Sequence, residues 1–191
     1  MGRDLMHQEE IRTLVRAAYR AAEGTSRQVA ERLYSPEELE RVPDEALDHA
    51  LGVGNHLDFA AFEPGETVLD LGAGAGVDTV LAARCVGRAG RVLALDFLPE
   101  MLERTRAAAR TAGLDNVETL EAEMEAIPLP DEGVDHVISN GAVNLSPRKS
   151  RVLAECARVL RPGGRLTVAD LTVDEEELPP EVLTHPAAWA G

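Results

Sequence analysis

The stretch Thr67-Val68-Leu69-Asp70-Leu71 has the pattern of a buried strand and runs without a linker into Gly72-Ala73-Gly74-Ala75-Gly76, where a helical pattern begins. Three glycines at a strand-to-helix turn leave backbone bare of Cβ atoms, so a ligand can lie flat against it. About 20 residues further on, a second apolar strand, Arg91-Val92-Leu93-Ala94-Leu95, ends in Asp96, an acid at the separation used to hold ribose hydroxyls. Strand, glycine loop, helix, strand and acid together describe a nucleoside-binding βαβ unit. Parallel strands joined by helices then restrict the chain to an α/β fold.

The glycine spacing selects the nucleoside. A dinucleotide fingerprint sets its third glycine three residues after the second, so that a pyrophosphate can rest on the helix N-terminus. Here the spacing is G-x-G-x-G and position 77 is Val. Asp70, two residues before the first glycine, would repel a phosphate but hold a cationic amino group. These features point to S-adenosylmethionine, which carries an ammonium and a sulfonium and no phosphate. A plain βα turn remains the alternative for the loop, and a strand-end turn residue the alternative for Asp96.

After Glu63-Pro64-Gly65-Glu66 the pattern predicts strands over 67–71, 91–95, 117–121, 134–139 and 165–171, and helices over 76–86, 99–112 and 148–160. Pro99 suits a helix start, Gly113 a helix end, and Arg161-Pro162-Gly163-Gly164 a turn. The expected class is α/β, a Rossmann-like, doubly wound, mostly parallel sheet. Residues 1–62 read as a helical lid or arm and 63–191 as the cofactor-binding core. The arm begins with an amphipathic segment from Leu5 to about Leu33, broken near Gly24; a helix start at Ser35-Pro36-Glu37-Glu38 follows.

Nineteen basic against 34 acidic residues give the 191-residue chain a net charge of −15, which argues against nucleic acid and anionic membranes as partners. No apolar run approaches the ~18 residues of a membrane span, and Met1-Gly2-Arg3-Asp4 leads into charged helix, so the expected location is the cytoplasm. Cys85 and Cys156 fall in helical patterns and are expected reduced and buried. His49, His56, His136 and His185 lack metal-ligand spacing, no metal site is expected, and no constellation for covalent catalysis stands out. The acidic run Asp174–Glu177 reads as a solvated loop.

Ligands of such sheets bind beyond the carboxyl ends of the strands. The residues there are Gly72, Ala73, Gly74 and Gly76 after the first strand, Asp96 and Phe97 after the second, Glu123 and Met124 after the third, and Asn140 to Asn144 after the fourth. Glu123 reads either as a solvated acid at a helix start or, with Met124, as an edge of an adenine pocket. Asn140 and Asn144 either hydrogen-bond the methionine moiety or the substrate, or cap the helix region at Pro147 or close a turn.

Asp70-Leu71-Gly72-Ala73-Gly74-Ala75-Gly76, Asp96, Pro99-Glu100-Met101-Leu102, Leu129-Pro130, Val134-Asp135-His136-Val137-Ile138 and Arg158-Val159-Leu160-Arg161-Pro162-Gly163-Gly164 resemble class I S-adenosylmethionine-dependent methyltransferases. Further stretches resemble the arsenite methyltransferases among them: Ser35-Pro36-Glu37-Glu38-Leu39, Leu51-Gly52-Val53-Gly54-Asn55, Gly113-Leu114-Asp115-Asn116-Val117, Ile138-Ser139-Asn140, Val143-Asn144-Leu145-Ser146-Pro147 and Glu177-Leu178-Pro179. The resemblance implies that Gly72, Ala73, Gly74 and Gly76 admit the cofactor with Asn140 and Phe97 nearby, that Asp70 faces its amino acid end, that Asp96 holds the ribose, and that Glu123 and Met124 border adenine. An N-terminal helix with Tyr19 would close over the methyl group, and S-adenosylhomocysteine would be the product. No general base is identified.

Two departures stand out. Gly141 and Val53 occupy positions where that subfamily carries arsenic-binding cysteines, so the expected acceptor is a small molecule other than arsenite. Relatives also continue past the segment resembling Trp189-Ala190-Gly191 into two further strands. Without them the strand at 165–171 would be a bare edge, and a homodimer or a completing partner chain is expected to cover it. The competing reading is a cofactor-binding subunit or sensor with little catalysis of its own. A nicotinamide-dependent oxidoreductase is a third.

Overall fold

The computed structural model describes residues 26–172, together with Thr13 and Ala17, which are helical. The rest of the segment expected over 5–33, Tyr19, the acidic run Asp174–Glu177, Pro179, His185 and Trp189-Ala190-Gly191 lie outside the described residues. Five strands, β1 (Thr67–Leu71), β2 (Arg91–Asp96), β3 (Val117–Glu121), β4 (Val134–Asn140) and β5 (Leu160–Ala169), pair in parallel in the order β3-β2-β1-β4-β5. The order reverses between β1 and β4, so the crevice beyond their carboxyl ends is where ligands of such sheets bind.

The helices are α1 (Ser26–Leu33), α2 (Pro36–Leu39), α3 (Asp44–Leu47), α4 (Val77–Val86), α5 (Pro99–Thr111) and α6 (Lys149–Val159), with 3-10 turns at His56–Phe59 and Val143–Leu145. The helix start at Ser35 is a full capping box: the Glu38 amide donates to Ser35 Oγ, and the Ser35 amide donates to Glu38 Oε2 at 2.8 Å. Pro99 opens α5, and Gly113 follows its end at φ +67°.

Alternation along the strands assigns each side chain to a face. Leu69, Leu71, Leu93, Leu95 and Val137 pack with Val152, Cys156 and Val159 of α6. Val68, Val92 and Ile138 pack on the opposite face with Ala82, Ala83 and Val86 of α4. Asp70, Asp96 and Asn140 share the parity of that second set, so all three aim at the α4 side, where the glycine loop also ends. Residues of α1 and α3, with Tyr34, Val42 and Ala50, complete a cluster with Val77, Val80 and Leu81 of α4 and Ala108 of α5, which seats the N-terminal helices over the start of α4.

Two expectations are corrected. Arg161-Pro162-Gly163-Gly164 does not separate helix from strand, because β5 already starts at Leu160, opposite Val134, and ends at Ala169. The next pairs begin at His136 with Arg165, so the turn is accommodated as a bulge against β4, with Gly163 at φ +81°. Cys85 is exposed on α4, whereas Cys156 is buried as expected. Among the described residues no helix is long and apolar enough to cross a membrane.

Glu155 of α6 anchors the loop after β3. Its carboxylate accepts from the Ile127 amide at 3.0 Å and pairs with Arg158 at 2.7 Å, while Arg158 also donates to the Ile127 and Leu129 carbonyls. Arg158 holds the Glu155 carboxyl below the usual range. This contribution is therefore present above the ordinary glutamate value and is lost as pH falls from there through the lowered folded value. Glu155→Ala is expected to lower unfolding free energy by about 2–4 kcal/mol at neutral pH, read by urea denaturation. A change under ~0.5 kcal/mol would show that the ion pair does not anchor the loop.

Candidate functional site

β1 delivers the chain to the cleft at its carboxyl end. Gly72 and Ala73 donate their amides to the Leu95 carbonyl at 2.9 and 3.0 Å, which folds the loop back over β2. A Cβ on Gly72 would stand 2.4 Å from Ala142 Cβ, so only glycine lets this loop pass the end of β4. Gly74 is different: at φ +53°, nothing lies within 4 Å of the position its Cβ would take. The loop is tight where it passes the protein and open where a ligand would lie.

The cleft is lined by Gly72 to Asp78 and by Asn140, and is roofed by Ala30, Leu33 and Tyr34 with His49 to Gly52. Its cavity volume is about 30 Å3, room for little more than a water, so a ligand lying on the loop would have to part the roof from it. Gly72, Ala73, Gly74, Gly76 and Asn140, expected at the site from the sequence, meet there. Tyr34, Gly52 and Asp78 were not anticipated. The signal for Asp78 was its position two residues past the last glycine, but an acid in the first turn of a helix reads first as a partner for the helix dipole.

Asn140 joins the walls. Its Oδ1 accepts from the Val53 amide at 2.9 Å, and its Nδ2 donates to the Gly54 carbonyl at 2.8 Å and to Asp78 Oδ2 at 3.1 Å. Tyr34 Oη donates to the other Asp78 oxygen at 2.7 Å. Asn144 is engaged elsewhere: its amide donates to Asp170 at 2.9 Å and its side chain to the Leu171 carbonyl, which ties the 3-10 turn after β4 to the residues that follow β5.

Asp70 lies below the cleft wall, 2% exposed, accepting from Thr79 Oγ1. Burial pushes its carboxyl up, with the Asp78 charge next and Asp96 smaller, while Thr79 opposes. Asp78 is raised chiefly by burial, against the opposing effects of His56, Tyr34 and Asn140. Asp96 is also buried and accepts from the Gly74 and Leu98 amides, both at 2.9 Å, so it props the loop from the β2 side. Phe97, Glu123 and Met124 are half-buried and do not line this cleft; Met124 packs against the α6-side core, where its apolar side chain is better satisfied. Among the described residues, no group of three or more His, Cys, Asp or Glu is placed to hold a metal ion.

The methyltransferase domain family matches residues 62–190 of this sequence. The chain belongs to the class I S-adenosylmethionine-dependent methyltransferases. It is 44% identical over 168 residues to an arsenite methyltransferase of Halobacterium salinarum, covering 85% of this chain and 43% of that protein. It is 39% identical over 118 residues to a ubiquinone/menaquinone biosynthesis C-methyltransferase of Salmonella arizonae, covering 61% of this chain and 47% of that one. The chain spans less than half the length of these curated relatives. Its fold superposes on a crystal structure of an arsenic(III) S-adenosylmethionine methyltransferase from Chlamydomonas reinhardtii with a TM-score of 0.69, 38% identity, and coverage of 80% of this chain and 53% of that one.

The residues present fit the family's cofactor. The open side of Gly74 accepts a flat-lying ligand, and the carboxylates near the loop suit an ammonium and a sulfonium while repelling phosphate. In the chain without ligand, the raised Asp70 carboxyl carries a pH cost. A carboxyl whose folded value lies above its unfolded value contributes stability below the ordinary 3.8 that is lost as pH rises through the folded value. Asp70→Asn is therefore expected to flatten the decline in ligand-free thermal stability between about pH 5 and pH 8. A slope equal to that of the unsubstituted protein would mean that Asp70 ionises freely.

Proposed function

We propose that the chain binds S-adenosylmethionine on the loop Gly72–Gly76 and transfers its methyl group to a small-molecule acceptor other than arsenite. The observation that carries this reading is the cleft itself: open glycine backbone, carboxylates beneath and beside it, and, among the described residues, no lysine or arginine in its lining. Asp96, at the end of β2 and tied to Gly74, is the residue to grip the ribose, with Phe97 beside it and Glu123 and Met124 towards adenine. Residues up to 62 act as the lid over the core that begins at 63, through Ala30, Leu33 and Tyr34 above the glycine loop.

The cofactor supplies a methyl group on a sulfonium whose leaving group is a neutral thioether. The chain then has three tasks: holding the two reactants in line, excluding water, and leaving the sulfonium uncompensated by a competing nucleophile. The apolar roof of Ala30 and Leu33 serves the second. Neutral Asn140 borders the cleft without opposing the sulfonium.

Against arsenite stands the pair at the positions where the related subfamily carries cysteines. Val53 Cγ1 lies 3.2 Å from where a Cβ on Gly141 would stand, so these two positions face each other as hydrocarbon and backbone, with no thiolate for a soft metalloid. The remaining cysteines, Cys85 and Cys156, sit on α4 and α6.

The test is a calorimetric titration with S-adenosylhomocysteine and with NAD, followed by transfer of labelled methyl to thiol, small phenolic and arsenite acceptors. Binding of S-adenosylhomocysteine in preference to NAD is expected, weakened by about 1.5–3 kcal/mol in Asp96→Ala, with turnover on a thiol or phenol and none on arsenite. Preference for NAD, or arsenite turnover by the chain alone, would contradict the reading. Tight binding without turnover on any acceptor would favour the cofactor-binding subunit instead.

A specific observation favours a partner for β5. Among the described residues it pairs with β4 alone, and Leu166 and Val168 are exposed along it, with Leu171 exposed just past its end and Phe59 81% exposed on the neighbouring turn. A second copy or a completing chain would cover this edge. Sedimentation at micromolar concentration is expected to give a species heavier than 20.5 kDa, and a clean monomer would count against a homodimer.

A further inference from the structure

The cleft holds a carboxylate whose partners do not match its charge. Asp78 is 8% exposed and lines the wall, yet both of its oxygens accept from neutral donors, Tyr34 Oη at 2.7 Å and Asn140 Nδ2 at 3.1 Å. Among the described residues, no lysine or arginine forms an ion pair with Asp78, Asp70 or Asp96. The titratable groups acting on this pair of neighbours are Asp70, Asp78 and Asp96, Glu38, Tyr34 and His56. His56 is the one basic group of that set. Burial holds its imidazole below the ordinary value against the pull of Asp78, and neither of its ring nitrogens has a hydrogen-bond partner, so it makes no charged hydrogen bond to Asp78.

A buried carboxylate without a cation is stable only at a penalty, which a positively charged ligand would relieve. The strand position of Asp70 suggests it for that task, but its carboxylate lies behind the wall and is engaged by Thr79. Asp78 stands on the wall itself, in the cleft that Gly74 also lines. We propose that the Asp78 carboxylate binds the α-ammonium of S-adenosylmethionine directly, and that Asp70 is a positioning residue that acts on it through Thr79 in the first turn of α4. This rests on the reading that the cofactor lies on the glycine loop. The ammonium joins Tyr34 and Asn140 around Asp78, so cofactor binding and closure of the N-terminal helices draw on one carboxylate.

A purely structural role for Asp78, capping the α4 dipole and tying down Tyr34, predicts the same contacts but no preference for an ammonium. The experiment is a double-mutant cycle by calorimetry, using S-adenosylhomocysteine and its analogue in which hydrogen replaces the α-ammonium, on the unsubstituted chain, Asp78→Asn and Asp70→Asn. The unsubstituted chain is expected to bind S-adenosylhomocysteine at least about tenfold more tightly than the analogue, the scale of one charged hydrogen bond. Asp78→Asn should bring the two ligands within about threefold while leaving the analogue's affinity within about threefold of its original value, and Asp70→Asn should keep most of the preference. Equal weakening of both ligands by Asp78→Asn, persistence of the preference, or its loss in Asp70→Asn alone would overturn the assignment. Failure of both ligands to bind the unsubstituted chain would instead overturn the cofactor reading on which it rests. If Asp78→Asn does not fold, Tyr34→Phe carries the test: removing a donor that shares Asp78 with the ammonium should widen the preference, and an unchanged or narrower one overturns the proposal.

Discussion

The hydrogen bonds that Tyr34 and Asn140 make to Asp78 hold together four segments that are distant in sequence: the end of the N-terminal helices, the Val53–Gly54 loop through Asn140, the carboxyl end of β4, and the first turn of α4. Because the junction is buried, each donor it uses must be present, and the loss of one leaves a carboxylate or an amide short of a partner in a medium that charges heavily for it. The glycine loop, the roof of the cleft and the strand crossover are therefore positioned by one polar unit. Hydrophobic packing of α1 and α3 on α4 supplies area around it but no comparable directionality.

The sheet explains why these groups can meet. Parallel pairing sends every carboxyl end to the same edge, and the reversal of order between β1 and β4 opens a gap there. Period-two alternation then puts Asp70, Asp96 and Asn140 on the α4 side, with leucines of the intervening positions on the α6 side. Apart from His136, which packs on Phe62, the polar side chains that β1, β2 and β4 place on this face are Asp70, Asp96 and Asn140; they are costly for stability, and all three lie within the last two residues of their strands. That distribution is what a binding edge requires and a stability edge would avoid.

Much of this was legible in the sequence, and the reasons are local. Uninterrupted apolar runs bounded by Gly, Pro and Asp marked β1, β2 and β4 to within a residue, and the capping box marked the start of α2. The glycine loop and Asp96 were readable because their spacing follows from ligand geometry. The start of β5 was misread because Pro162-Gly163-Gly164 has the composition of a turn, while parallel pairing with β4 tolerates it as a bulge; that tolerance is a tertiary effect. Asp70 and Asp78 illustrate a finer limit: the sequence places an acid near the loop, but which of two acids stands on the wall depends on how α4 is rotated against β1, through Thr79. Tyr34 was invisible for a similar reason, since its partner Asp78 lies far along the chain and only the packed helices bring the phenol to it.

The account stands on a cofactor lying across the loop between Asp78 and Asp96. A crystal structure of the chain with S-adenosylhomocysteine tests this most directly. The account requires the amino acid end against the Gly72–Asp78 wall under Tyr34, and the ribose within hydrogen-bond distance of Asp96. A ligand bound elsewhere, or a cleft still filled by the chain's own Tyr34 and Gly52 at saturating ligand, would contradict it.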